Sequence, residues 1–440
     1  MADKCDPIRS KLHDLEGELK NTDRFLAEPE TDEQNPPKPR TNPKWTDLVS
    51  RIAKTRSALQ ACAESLLIRR WTVTGDSFIG SIEIDALVSK FMKAHAIRAM
   101  SVAVAREGTL IANRGYTWAE PNYPITQPNT LFRVASVSKI FTCAAIDRLV
   151  TSGALSFDTQ AFPFLGVTRV PLQVTDRDID NITVKQLAMR RSGLQRDFGA
   201  DFRMIASLLG QSVMPTREQL VRYIFGVHPL DSRPGTFDSY SNSAFAVLTS
   251  IVEKASGRTF IDYLRNEVLP PFGIHDVQVG ATAANMRKPN EVSSYDDPGF
   301  SPSQTDMAVD AIAPNAYGGT FALENGEGEG GLIMSTGTVA RFLATHAVWD
   351  IGPRQPGFTR YGKFSGTGAA AVSRPDGLDF AYAFNYQVDD PEHDALVKQI
   401  HAILDRHLSV QPGGVVASIS RFIIGLVDRV LRVVGLRLNP

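Results

Sequence analysis

Ser136 and Lys139 stand three residues apart in the run Leu131-Phe132-Arg133-Val134-Ala135-Ser136-Val137-Ser138-Lys139, where the pattern predicts a helix over residues 136–151. Three residues along a helix is nearly one turn, so this spacing sets the lysine ammonium beside the serine hydroxyl. A serine hydroxyl is a weak nucleophile until a base removes its proton, and a buried lysine becomes such a base once desolvation and nearby positive charge lower its pKa. The helix N-terminus adds free backbone N–H groups and the positive end of a dipole, which suit an oxyanion. Ser-x-x-Lys arises by chance about once or twice in a chain this long, so the context carries the weight. Ser138 reads as a helix-start residue.

A second element, Arg233-Pro234-Gly235-Thr236-Phe237-Asp238-Ser239-Tyr240-Ser241-Asn242, precedes a predicted helix over residues 243–256. The Pro-Gly turn sets Tyr240 and Asn242 on a loop. A tyrosine among cations ionises readily and serves as a general base. The plainer reading is an N-cap, for which Ser241 or Asn242 is suited.

These residues need elements to hold them. Residues 100–105 and 110 onward read as a strand hairpin across the turn Arg106-Glu107-Gly108, and strand character returns at 366–374 and 378–384 around Arg374-Pro375-Asp376-Gly377. Helical spacing fills the middle, at 183–190, 216–225, 243–256, 259–269 and 337–347, and a last helix covers 394–407. The fold class is therefore α+β, of the α/β sandwich type: an antiparallel sheet built from both ends of the domain, flanked by helices, with an inserted and mostly helical lobe.

Two appendages flank this body, which spans 80–410. Over residues 1–67, Ile8, Leu12, Leu15 and Leu19 face Leu59, Thr55, Ile52 and Leu48 in one antiparallel register, which predicts a helical hairpin. Cys5 faces Cys62 in that register. Two buried thiols are the reading a reducing compartment favours, and a disulfide clasping the hairpin is the alternative. Residues 413–440 read as a basic amphipathic helix, suited either to a membrane interface or to docking on the protein itself or on a second copy.

The composition narrows the partners. The 440 residues carry 47 Lys and Arg against 48 Asp and Glu, a balance that gives no electrostatic reason to expect nucleic acid. Three cysteines make no disulfide framework, and the eight histidines fall in no metal spacing, so no metal or organic cofactor is expected. The Gly-x-Ser-x-Gly, His-Glu-x-x-His and phosphate-loop signatures do not occur. The first residues lack an apolar signal core, and no run of eighteen apolar residues occurs. The expectation is a cytoplasmic protein, with peripheral attachment or self-association through the C-terminal helix left open.

The run from Phe132 to Lys139, followed by Pro234-Gly235-Thr236-Phe237-Asp238-Ser239-Tyr240-Ser241-Asn242, resembles the serine β-lactamase and penicillin-binding-protein superfamily over roughly residues 85–405. The likeness is greatest to the class C branch, which includes the family VIII carboxylesterases. Ile182-Thr183-Val184-Lys185-Gln186-Leu187 and Glu329-Gly330-Gly331-Leu332 match its landmarks in style. The resemblance implies a third motif, Lys or His then Ser or Thr then Gly, on a strand beside the serine. Counting back from the Arg-Pro-Asp-Gly turn places it at Arg360-Tyr361-Gly362, in preference to Gly366-Thr367-Gly368. By resemblance, the backbone N–H groups of Ser136 and Lys363 form the oxyanion hole and Asn242 holds the acyl chain or orients Lys139. The implied activity is that of a serine hydrolase with an acyl-enzyme on Ser136, most simply an esterase of small carboxylic esters. An acyltransferase with the same residues and a non-catalytic sensor or scaffold are the alternatives. Arg360 and Tyr361 depart from the motif, which weighs against recognition of a substrate carboxylate and against β-lactam hydrolysis.

Overall fold

The computed structural model describes residues 5–22, 42–65, 69–167, 177–196, 202–227, 230–308 and 311–408. Residues 413–440, read above as an amphipathic helix, lie outside the described residues.

Helices α1 (Asp6–Lys20) and α2 (Pro43–Ser65) form the predicted pair. Leu15, Leu48 and Ile52 are buried between them, with Leu12 and Leu19 partly buried alongside. Thr55, the polar member of the seam, donates its hydroxyl to the Arg51 carbonyl at 2.8 Å, so its burial leaves no orphan. Arg56 pairs with Glu16 across the hairpin and sets its guanidinium 4.1 Å from the centroid of the Phe300 ring on the body. Cys5 is 1% exposed and disulfide-bonded, and Cys143 is a free buried thiol. The disulfide corrects the reading of Cys5 as a thiol at a seam position; the Cys62 side chain lies outside the described residues.

The sheet has six strands: β1 (Arg70–Thr74), β2 (Ala99–Arg106), β3 (Thr109–Ala119), β4 (Phe358–Phe364), β5 (Thr367–Ser373) and β6 (Leu378–Phe384). Their order is β1-β3-β2-β6-β5-β4, with every pair antiparallel. The two ends of the chain meet at the centre, where Met100 pairs with Phe384 and Arg106 with Leu378. The short outer strand β1 was not read from the sequence, and β4 entered it only as the strand that the resemblance implied for the third motif.

Alternation along the strands decides what packs where. On one face Met100, Val102, Val104, Phe380, Tyr382 and Phe384 join Ile84, Val88 and Met92 of α3 (Ser81–Ala94). Leu396, Ile400 and Leu404 of the C-terminal helix Asp390–His407 complete that core. The opposite face is lined by small residues, Ala99, Ala103, Ala105, Ala369, Ala371, Ala381 and Ala383, so the inserted lobe approaches closely. This central lobe carries α4 (Ser138–Thr151) and α5 (Asn242–Ser256), both buried among the larger core cluster. The predicted helix at 259–269 divides into Phe260–Tyr263 and a π turn, Leu264–Val268, and the one at 337–347 is shorter, Thr336–Phe342. Among the described residues no helix is long and apolar enough to cross a membrane.

Candidate active site

Ser136 lies in a single 3-10 turn, Ala135–Val137, that runs straight into α4. Ala135 has φ of 45°, a left-handed conformation that costs a non-glycine residue about 1–2 kcal/mol. Packing holds the turn in place. Gly362 on edge strand β4 approaches so closely that a Cβ there would stand 2.1 Å from the Val134 carbonyl oxygen and 3.2 Å from the Ser136 nitrogen. Only glycine fits without moving the strand. Ser138 begins α4 and accepts a hydrogen bond from the Leu332 N–H at 3.3 Å, in keeping with its reading as a helix-start residue.

The Ser136 Oγ is 2.6 Å from the Tyr240 Oη and receives the Lys139 Nζ at 3.1 Å. Tyr240 stands just before α5. Ser241 caps that helix by accepting the Ala244 N–H and donates its hydroxyl to the Gln195 carbonyl at 2.8 Å, which ties the loop down. Capping therefore falls to Ser241, while Asn242 lines the cavity in front of Ser136.

Lys139 is wholly buried. Its ammonium also donates to the Glu329 carbonyl and lies 5.0 Å from the centroid of the Tyr240 ring and 5.3 Å from that of Phe245. Burial is the main influence on it and lowers its pKa; Tyr240 and Glu329 oppose that effect and the Arg360 charge adds to it. For Tyr240, burial by itself raises the phenol pKa. The Lys139 charge, polar contact with Lys139 and Ser136, and the Arg360 charge outweigh it, so the phenol sits below its ordinary value. Both groups are thus held below their ordinary values, which suits proton transfer at the serine. Cys143, one turn along α4, has its thiol pushed up to about 12 by burial and is no rival nucleophile.

The Glu329 carbonyl is presented by a glycine-rich π turn, Glu327–Gly331. The Gly328 carbonyl accepts the Thr142 hydroxyl at 2.7 Å, and a Cβ on Gly328 would stand 2.1 Å from the Thr249 hydroxyl oxygen. Those glycines seat the turn on α4 and α5 together. The cluster of glycines was visible in the sequence; that a main-chain carbonyl there holds the lysine was not.

Of the third motif, Gly362 abuts the serine turn and Lys363 lines the cavity, but Arg360 does not. Arg360 is 1% exposed, donates its Nε to the Val348 carbonyl at 2.7 Å and stacks on Trp349. Arg360, which the resemblance set in the third motif among the substrate-binding residues, is thus a buried charge that acts on Tyr240. The Tyr361 hydroxyl and the Lys363 ammonium reach Asp394 and Asp390, each at 2.6 Å, because alternate residues of β4 point to the far face. The cavity itself, of about 320 Å³, is bounded by Ser136, Asn242, Phe321, Leu323, Glu329 and Phe364 among others.

The beta-lactamase family model matches residues 84–415. A D-aminopeptidase of Gluconobacter oxydans is 30% identical over 237 residues, covering 52% of this chain and 41% of that protein. A beta-lactamase of Providencia stuartii is 25% identical over 239 residues, covering 54% and 55%. The chain spans about half the length of the curated relatives it matches. Among solved structures, a D-amino acid amidase from Ochrobactrum anthropi superposes with a TM-score of 0.54 at 17% identity, over 74% of this chain and 99% of that one. With the match to the family model running through the serine turn, the tyrosine loop and the edge strand alike, the chain belongs to the beta-lactamase family.

Proposed function

We propose that the chain is a serine hydrolase that works through an acyl-enzyme on Ser136 and prefers small carboxylic esters. The observation that carries this reading is the Ser136 hydroxyl held within hydrogen-bond reach of both Tyr240 and Lys139. The Ser136 Oγ attacks the carbonyl carbon while its proton passes to the Tyr240 oxygen, with Lys139 stabilising the charge. The oxyanion is received by the backbone N–H groups of Ser136 and Lys363, a role supported by the close seat of Gly362 against the serine turn. As the tetrahedral intermediate collapses, the bond to the leaving oxygen breaks and that oxygen takes the proton back from Tyr240. Water then attacks the acyl-Ser136 ester and gives its proton to Tyr240; the acid departs and the proton returns to Ser136. Asn242 holds the acyl chain.

Withdrawal of Arg360 into the core supports substrates without a carboxylate at that side, and so weighs against β-lactams. The names D-aminopeptidase and D-amino acid amidase support an amide arm on the same residues. A fluorophosphonate probe, applied to wild type and Ser136→Ala, tests the reading: the adduct forms on wild type only, and its absence there overturns acyl transfer. A p-nitrophenyl acyl series, a p-nitroanilide and a chromogenic cephalosporin then order the substrates. Short acyl esters lead and the cephalosporin comes last; efficient cephalosporin hydrolysis reverses the proposal.

A further inference from the structure

The loop that carries Tyr240 is bound along its length to residues 190–196. The Gly235, Ser239 and Asn242 N–H groups donate to the Arg191, Arg190 and Arg196 carbonyls, each at 2.7 Å. A Cβ on Gly193 would stand 2.0 Å from the Ser232 carbonyl oxygen, so the two segments run in close contact. These bonds fix the path of the loop; the direction of the phenol ring is set by what stands against it. Arg190 touches both. It follows the short helix Val184–Ala188 in a left-handed conformation, with φ of 57°. A non-glycine residue takes that conformation rarely, and where it does so its surroundings hold it there. One arm of its guanidinium pairs with Asp238 on the tyrosine loop at 2.9 Å. Its Nε donates to Asp350 at 3.1 Å, a residue that is itself left-handed with φ of 63°. The guanidinium carbon lies 4.7 Å from the centroid of the Trp349 ring. That ring meets Tyr240 edge to face and is fixed in turn by its Nε1, which donates to the Thr359 carbonyl at 2.8 Å.

We propose that Arg190 is a positioning residue for Tyr240: it ties Asp238 on the tyrosine loop to Trp349, the ring that backs the phenol, and so holds the Tyr240 hydroxyl 2.6 Å from the Ser136 Oγ. The inference rests on the reading of Tyr240 as the group that takes the Ser136 proton. Arginine suits the place, because its planar fork bridges two carboxylates while its face lies on an aromatic ring. Proton transfer needs its heavy atoms within hydrogen-bond reach, and a displacement of about 1 Å costs up to about 10²-fold in rate.

The test measures kcat and KM of the full chain on a short p-nitrophenyl ester, in two backgrounds. With Tyr240 present, Arg190→Met lowers kcat by about tenfold or more and leaves KM near wild type, since Arg190 is not on the wall of the Ser136 cavity. In Tyr240→Phe, which has no phenol hydroxyl to place, the same change costs less than about twofold more, followed at high enzyme concentration. A loss as large in that background as in wild type makes Arg190 a structural residue and overturns the inference. So does a wild-type kcat in a folded Arg190→Met protein. Should Arg190→Met fail to fold by its thermal melt, Asp238→Asn decides, because it cuts the tie at an exposed carboxylate. Its kcat falls about two- to fivefold, again only where Tyr240 is present, and an unchanged kcat overturns the inference. An impaired Tyr240→Phe beside an unimpaired Arg190→Met sinks this inference alone. A Tyr240→Phe protein that works at the wild-type rate sinks the role of Tyr240 and this inference together.

Discussion

The Arg360 guanidinium carbon lies 3.9 Å from the centroid of the Trp349 ring, and Trp349 in turn meets the Tyr240 ring edge to face at 6.4 Å. A permanent cation therefore stands behind the tyrosine, held by an aromatic face, where it acts on the phenol through space. Lysine or histidine at this place titrates near working pH; arginine does not.

From that follows a shift in the pH profile. Arg360 is one of the charges that hold the Tyr240 phenol below its ordinary value. In Arg360→Met the phenol regains a higher pKa, and the acidic limb of kcat/KM moves to higher pH. Arg360→Lys restores the limb in part if its ammonium stays charged in the core. An unmoved limb in Arg360→Met, measured with a short acyl ester, removes Arg360 from the proton chemistry.

Lys139 and Tyr240 also tie stability to pH. Both have lowered pKa values in the folded chain, against ordinary values of 10.5 and 10.0. Between the lowered and the ordinary values the unfolded chain binds more protons, so stability rises with pH across that window. Lys139→Met removes the desolvated ammonium, and its melting temperature depends less on pH there and is no lower than wild type at neutral pH. The same variant loses about 10²- to 10⁴-fold in kcat, as does Tyr240→Phe. The double variant loses little more than either single one, because the two groups serve one proton path. Additive losses would separate them into independent roles.

Gly362 offers a steric test of the serine turn. A methyl group there would meet the Val134 carbonyl oxygen at 2.1 Å, so Gly362→Ala moves β4 away from Ser136. With the Lys363 N–H displaced from the oxyanion, kcat falls about 10²- to 10³-fold. Circular dichroism shows the sheet intact, since β4 is an edge strand paired on one side with β5. Unchanged kcat in a folded Gly362→Ala protein removes the edge strand from the reaction.

The contrast between Lys139 and Arg360 marks how far the sequence could be read. Ser136 and Lys139 were legible because three residues on a helix fix a side-chain neighbourhood locally. Tyr240 was legible because a turn and a capped helix frame it. Arg360 was found by counting, but the direction of its side chain depends on the strand's alternation and on Trp349, a contact made only in the folded state. Strand β1 escaped because a short edge strand leaves a weak period-two signal, whereas β4 was reached through the third motif that the resemblance implied. The Glu329 carbonyl escaped for another reason: main-chain acceptors have no residue type to recognise. Cys5 is buried, yet register alone does not distinguish a thiol from a disulfide.

Arg217 carries the last prediction. It stands at the start of the helix Arg217–Val227 and pairs with Glu327, the first residue of the turn that presents the Glu329 carbonyl to Lys139. Its other arm lies 3.0 Å from Glu253 on α5. The Asn325 amide, just before the turn, donates to the Pro215 carbonyl at 2.6 Å, so the turn is tethered on the same side twice. Removing one partner of a largely buried ion pair leaves a charge uncompensated and costs about 3–5 kcal/mol at the upper end. Arg217→Met therefore lowers the melting temperature. It also lowers kcat, by about tenfold or more, because a loosened carbonyl no longer fixes the Lys139 ammonium against Ser136. KM stays near wild type, since Arg217 is not on the wall of the Ser136 cavity. Arg217→Lys keeps the charge and recovers part of kcat. A lowered melting temperature with kcat intact assigns Arg217 to stability alone; a joint loss that lysine relieves makes it a positioning residue for the lysine.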